Sequence, residues 1–178
     1  GFPELMKLYN KFPMKELIIH PRVQKDFYKN TPNLEMFAEA FAMSTNPVCY
    51  NGDIFCVEDH QRICERFPEL DAVMSGRGTL TNPALAREIR GGQALTKAEL
   101  RKFHDLVYHT YRTEVSGDRN VLFKMKELWF YMGPLFANNK KYMKKIKKSE
   151  KCAVYESAVA ELFASEEAFF DPDNIKVL

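Results

Sequence analysis

Paired cysteines, long apolar runs and an excess of charge of one sign are all missing from this sequence, and each absence removes a class of protein. The four cysteines, Cys49, Cys56, Cys64 and Cys152, form no CxxC pair and no regular framework, so they read as reduced thiols in a cytosolic protein. They combine with His20, His60, His104 and His109 in no zinc-ligand spacing. No apolar run approaches the ~18 residues of a membrane span, and no signal-peptide pattern is seen. The net charge is only +2, from 26 basic and 24 acidic side chains, so an anionic partner has to be met by a local patch. What is present, 46% hydrophobic and 28% charged residues in a chain of 178, is globular and long enough for one domain or two small ones.

The first half of the chain alternates. Residues 3–13 carry Leu5, Met6, Leu8, Tyr9 and Phe12 at helical spacing and end at Pro13. Glu16-Leu17-Ile18-Ile19-His20 reads as a buried strand, with Pro21-Arg22 opening a loop. A helical pattern over 33–44, with Leu34, Phe37, Ala38 and Phe41 on one face, leads to a strand at Pro47-Val48-Cys49-Tyr50 that ends in Asn51-Gly52-Asp53. A helix over 57–67 and a strand over 71–75 come next, then a Gly76-Arg77-Gly78 turn and a helix starting at Pro83-Ala84-Leu85. Short apolar strands separated by helices argue for a parallel sheet with right-handed crossovers. The carboxyl ends of the strands then gather His20, Asn51-Gly52-Asp53 and Gly76-Arg77 on one rim, where α/β sheets and barrels keep their sites. Glycines admit a phosphate to backbone N–H groups, and Arg77 offers a planar fork for a dianion. A lone Gly-Arg-Gly also serves plain chain reversal; three loop motifs on one rim are the stronger sign.

Composition changes near Gly91-Gly92, beyond which no strand pattern appears. Thr96-Lys97-Ala98-Glu99 has the form of a capping box and opens a helix through about 115, with Leu100, Phe103, Leu106, Val107 and Tyr111 inward. Further helices are predicted over 118–131, 139–148 and, after a Ser149 cap, 150–164, which makes a small four-helix bundle. Lys140, Lys141, Lys144, Lys145, Lys147, Lys148 and Lys151 form the densest charge cluster, with Tyr142, Met143 and Ile146 interleaved. Such a run is usually a solvated helix face; its density on a small bundle reads as a footprint for a phosphate backbone, extended by Arg119, Lys124 and Lys126. Trp129, Phe130 and Tyr131 read as core or packing rather than stacking platforms, and Phe123, Met125 and Leu128 as ordinary core.

The segments Leu17-Ile18-Ile19-His20-Pro21-Arg22, Tyr50-Asn51-Gly52-Asp53-Ile54 and Val73-Met74-Ser75-Gly76-Arg77-Gly78, followed by Asn82-Pro83, resemble the C-terminal half of the tRNA-dihydrouridine synthases, over roughly residues 3–165. The resemblance implies an α/β fold: the last three strands and helices of a (β/α)8 TIM barrel over 1–92, an all-α four-helix bundle over 93–168 and a tail over 169–178. It implies FMN as cofactor, NADPH or NADH as hydride source and tRNA as substrate. His20 would lie beside the flavin, and Asn51, Gly52, Asp53, Gly76 and Arg77 would hold its ribityl chain and phosphate. The Gly52 and Asp53 amides would face the phosphate while the Asp53 carboxylate capped the next helix.

Lys140, Lys141, Lys144, Lys145 and Lys148 would meet tRNA, and Arg22 stands either at the surface or against RNA. Ser75 stands where the family often has an apolar residue. The family's Asn-x-Gly-Cys-Pro motif with its catalytic cysteine is absent, as is its flavin-contacting lysine, so no residue here is assigned a catalytic role. The expectation is therefore a cytoplasmic enzyme represented by its C-terminal piece, inactive alone, whose open strand edges call for self-association or the missing N-terminal barrel half. The alternative is a non-catalytic RNA-binding module on a half-barrel. Another phosphate-binding barrel enzyme is disfavoured by the helices after Asn82-Pro83.

Overall fold

A computed structural model describes residues 2–26, 30–165 and 169. The chain is an α/β protein, mostly helical, with one small parallel sheet, and it divides into two compact units, Gly1–Gly76 and Arg77–Leu178. The predicted tail lies, apart from Phe169, outside the described residues.

In the first unit the order is α1 (Phe2–Tyr9), β1 (Leu17–Ile19), a 3₁₀ turn at Gln24–Asp26, α2 (Leu34–Met43), β2 (Val48–Asn51), α3 (Val57–Arg66) and β3 (Ala72–Met74). The strands are parallel and lie in sequence order, β1-β2-β3. Ile19 pairs with Tyr50 and Tyr50 with Val73, so these three share a face. That face is covered. Phe37 of α2 meets Tyr50 edge-on at 4.9 Å and Phe67, which closes α3, at 5.0 Å. On the opposite face Ile18 and Met74 remain 46% and 37% exposed.

Helix ends here depend on individual side-chain hydrogen bonds rather than apolar spacing. The first helix stops at Tyr9, short of the expected 13, because the Asn10 amide donates to the Met43 carbonyl at 2.7 Å and accepts from the Thr45 N–H at 3.1 Å. Phe12 is left 58% exposed. Asp71 accepts from the Val48 N–H at 2.9 Å and ties the entrances of β2 and β3. The side chain that caps α3 is Asp59, in its first turn, which reaches back to accept from the N–H groups of Phe55 and the N-cap Cys56 at 2.9 and 3.2 Å. The carboxylate of Asp53, expected to cap this helix, is turned elsewhere.

The second unit holds α4 (Arg77–Thr81), α5 (Leu85–Ile89), α6 (Lys97–Glu114), α7 (Asp118–Met132), a 3₁₀ turn at Gly133–Leu135, α8 (Lys140–Lys148) and α9 (Cys152–Ala164). The Thr96–Glu99 capping box opens α6 as expected. Gly76-Arg77-Gly78 is not a reversal: Gly76 is a bend, and Arg77 and Gly78 already belong to α4. Asn82 anchors the passage from α4 through α5 to α6. Fully buried, it donates to Glu88 at 2.8 Å and accepts from the Ala84 N–H at 2.9 Å, while Glu88 accepts from the Leu95 N–H at 2.7 Å.

The inward face of α6 is Leu100, His104 and Tyr108, and Leu106 is 68% exposed, not inward as its apolar character suggested. Phe123, read as core, is 67% exposed. The expected Ser149 cap of α9 is a C-cap of α8 instead, its hydroxyl donating back to the Lys145 carbonyl at 2.9 Å. Asp118 takes over at α9, accepting from the Cys152 N–H at 2.8 Å.

Candidate functional site

Parallel strands in register bring their carboxyl ends to one edge of the first unit, and the residues just beyond them interlock there. His20, one residue past β1, places Nδ1 2.7 Å from the Asn51 carbonyl. A carbonyl only accepts, so this nitrogen carries the proton and the exposed ring is held in one orientation. Arg22 reaches the same loop. Its guanidinium donates to both Asp53 oxygens, at 2.8 and 2.6 Å, and to the Asn30 carbonyl at 3.0 and 2.6 Å. The Arg22 side chain is 5% exposed. Its fork is therefore committed inside the chain, unlike the surface or RNA-facing position the sequence suggested.

Asn51-Gly52-Asp53 is shaped from below by Tyr50, which is 2% exposed. A Cβ at position 52 would fall inside the Tyr50 hydroxyl and ring, which is why a glycine stands there. Burial first, then the nearby Asp53 charge, pushes the Tyr50 hydroxyl up to about 12, so it stays protonated. Ser75, after β3, donates to the Ile54 carbonyl at 2.8 Å and joins the third strand end to the second loop. A Cβ at Gly76 would meet nothing within 4 Å. Arg77 comes next in the chain as the first residue of α4.

Two cysteines near this edge are held as thiols. Burial raises the Cys49 thiol, inside β2, with Glu16 adding to the effect. Burial likewise lifts Cys56, the N-cap of α3, to about 11. All four cysteines are free.

The lysine-rich segment is α8, whose buried side is Tyr142 and Ile146. Lys145 pairs with Glu161, and Lys141 lies 4.7 Å from the centre of the Tyr142 ring. Lys140, Lys144, Lys147 and Lys148 are exposed. On α7 the aromatic run splits: Trp129 is fully buried and Phe130 is 55% exposed. The lysines and the strand-end residues were all singled out by sequence. The Arg22–Asp53 lock was not, because partners 31 residues apart leave no local signal. The wedge of Tyr50 under Gly52 had one: a bulky aromatic two residues before a glycine in a strand-end loop.

Short parallel strands with interlocked loops at their carboxyl ends define an α/β protein of the kind that keeps its site at a strand-end rim. Residues 4–169 match the family model of dihydrouridine synthase. The chain belongs to the dihydrouridine synthase family. It is similar to the tRNA-dihydrouridine(16) synthase of Pseudomonas syringae pv. tomato, 35% identical over 78 residues, which are 44% of this chain and 24% of that protein. The enzyme of the same name from Shewanella oneidensis is 36% identical over 77 residues, 43% of this chain and 24% of the relative. That from Aquipseudomonas alcaligenes is 30% identical over 79 residues, 44% and 25% of the two. The matched stretch thus spans about a quarter of the length of these curated relatives.

Proposed function

We propose that this chain is the C-terminal portion of an FMN-dependent tRNA-dihydrouridine synthase, which reduces uridine in tRNA to 5,6-dihydrouridine with NADPH or NADH as hydride source in the cytoplasm. The observation that carries the reading is the register of the sheet. It brings His20, Asn51-Gly52-Asp53 and Ser75-Gly76 to one edge, in the order in which the family's motifs occur. In this reading β1, β2 and β3 are the sixth, seventh and eighth strands of a (β/α)8 barrel. Sequence order without reversal suits a barrel, and so does a sheet with helices on one face and Ile18 and Met74 exposed on the other. Three strands cannot close a barrel, so the outer edges of β1 and β3 await further strands, from the rest of a longer protein or from a second copy.

The edge suits a flavin phosphate. Among the described residues none crowds a Cβ at Gly76, and that open space would admit an anion to the backbone. His20, Asn51, Gly52, Asp53 and Gly76 would hold the cofactor, with Arg77 next in the chain. The flavin, when bound, supplies the hydride that reduces uracil. What this chain does is bind and orient: the Asn51 carbonyl fixes the His20 ring, and Arg22 fixes the Asp53 loop. Helices α6–α9 form the bundle that holds tRNA, and the lysines of α8 neutralise its phosphates. Neither Cys49 nor Cys56 takes the role of proton donor to the base, since one is buried in a strand and the other caps a helix.

The test is to incubate the purified chain with FMN, NADPH and unmodified tRNA. Flavin and tRNA are expected to be retained without dihydrouridine formation. Robust turnover would overturn the claim that a catalytic cysteine lies elsewhere, and colourless protein that still binds tRNA would favour the non-catalytic module.

A further inference from the structure

Between the C-terminal half of α7, the turn at Gly133–Leu135 and α8 lies a groove of about 540 Å³ that none of the strand-end chemistry uses. Its lining combines apolar side chains, Phe130 of α7 and Met143 of α8, with four lysines of α8, Lys140, Lys144, Lys147 and Lys148. A Cβ at Gly133 would meet the Met143 sulfur at 2.9 Å, so glycine at the turn lets the flexible end of that side chain lie close against it. Phe130 keeps 55% of its surface in solvent beside the fully buried Trp129, and Tyr131 braces its ring edge-on at 5.2 Å. Among the described residues none that lines the groove is acidic, and Lys145, the lysine paired with Glu161, is not part of it.

An occupant must present a flat apolar face to Phe130 and several negative charges along α8. Lys140, Lys144, Lys147 and Lys148 keep the i, i+4, i+7, i+8 pattern of one helix face, and from Lys140 to Lys144 to Lys148 each step rises roughly 6 Å, close to the separation of successive phosphates in an extended strand. We propose that the groove binds an unpaired nucleotide segment of RNA, one base stacked on Phe130 against Met143 and the flanking phosphates on the four lysines. This inference deepens, and rests on, the RNA half of the function proposed above. A duplex does not fit the requirement, because its base faces are already stacked on one another. A lipid surface does not fit either: of the apolar residues of α8, Tyr142 and Ile146 are buried in the unit, which leaves only the half-buried Met143 and no apolar face for insertion.

The test compares, on the full chain, a fluorescein-labelled ten-residue oligouridylate with an abasic phosphodiester of equal length over a salt series. The base-bearing strand is expected to bind at least about fivefold more tightly, since one stacked base contributes a factor of roughly 5 to 150. Phe130→Ala should bring the oligouridylate down to the abasic level and leave the salt slope unchanged, while Phe130→Trp keeps the preference. Lys144→Gln with Lys147→Gln should flatten the log–log salt slope by about 1.4, two phosphates at about 0.7 each.

Equal binding of the two strands, indifference to Phe130→Ala, or tighter binding to duplex RNA or to phosphatidylserine vesicles would overturn the proposal. Base-independent binding would sink this inference alone. If neither strand nor tRNA bound, the RNA half of the proposed function would fall with it. Should Phe130→Ala fail to fold by circular dichroism, the two strands compared on the unaltered chain still decide.

Discussion

Removing one oxygen atom should loosen the whole helical unit. The hydroxyl of Tyr155, on α9, accepts from the Trp129 indole N–H at 2.7 Å and lies 2.6 Å from His104 Nε2, and all three side chains are buried. His104 Nδ1 is 2.8 Å from the Asp105 carboxylate, which accepts the proton there and leaves Nε2 to accept the Tyr155 O–H. The chain Trp129→Tyr155→His104→Asp105 is thereby closed, with every donor used. Tyr155→Phe strands the indole N–H and the imidazole nitrogen in a dry interior, at about 1–3 kcal/mol each. The hydroxyl's own desolvation is relieved in part, so the net loss is about 2–4 kcal/mol. At roughly 2–4 °C per kcal/mol for a chain of this length, the midpoint should drop by about 4–16 °C.

Trp129 is the only tryptophan, so its fluorescence during urea unfolding reads this unit alone. The same network sets a pH dependence. Burial lowers the His104 pKa, against an opposing pull from Asp105. The unfolded chain takes up the proton near 6.5 and the folded one only at lower pH, so stability is full above about pH 6.5 and declines as pH falls below it. Protonation also removes the acceptor that the Tyr155 hydroxyl needs. A variant within about 0.5 kcal/mol of the parent, or a stability unchanged between pH 7 and pH 5, would refute the arrangement.

Two further outcomes concern the strand-end edge. Asp53→Asn should destabilise the first unit by about 2–3 kcal/mol. That is below the full cost of breaking a buried pair because Asp53 is 30% exposed, and circular dichroism during thermal unfolding reads it. The reversed pair Arg22→Asp with Asp53→Arg should recover part of the loss; no recovery would mean that the Arg22–Asp53 contact contributes nothing. Gly52→Ala should cost about 1–3 kcal/mol because its methyl group displaces the packed Tyr50 ring, whereas Gly76→Ala should leave stability within about 0.5 kcal/mol and weaken FMN retention measured by quenching of flavin fluorescence.

Elements built on apolar spacing were legible in the sequence: the three strands, α2, α3 and the long helices α6 and α7 all lie within a few residues of expectation. The errors at helix ends come from side chains that cap or bridge, whether from within the same turn or from far along the chain. Asn10 ends α1 early by reaching Met43, Asp59 displaces Asp53 as the cap of α3, and Asp118 displaces Ser149 at α9. Apolar character alone also misjudged burial where a helix has more hydrophobic positions than its neighbours can cover, as at Leu106 and Phe123. The polar residues that fill the helical core, His104 above all, carried no periodic signal because spacing rules count only apolar side chains.

The strand-end motifs change meaning once their partners are seen. By sequence, His20, Arg22 and Asp53 are separate groups, each available to a ligand. In the fold His20 orients on the Asn51 carbonyl and Arg22 clamps Asp53, so the two side chains after β1 hold the loop after β2 from both ends. Ser75 then links the end of β3 to the same loop through Ile54. Three strand ends converge on Asn51-Gly52-Asp53, and Tyr50 supports it from beneath. A ligand at this edge would find a loop already fixed in place, which lowers the ordering cost of binding. In the proposed flavin site Arg22 is accordingly a positioning residue. Its replacement should weaken cofactor binding through the loop, and lysine, which cannot form the bidentate fork, should restore little of it.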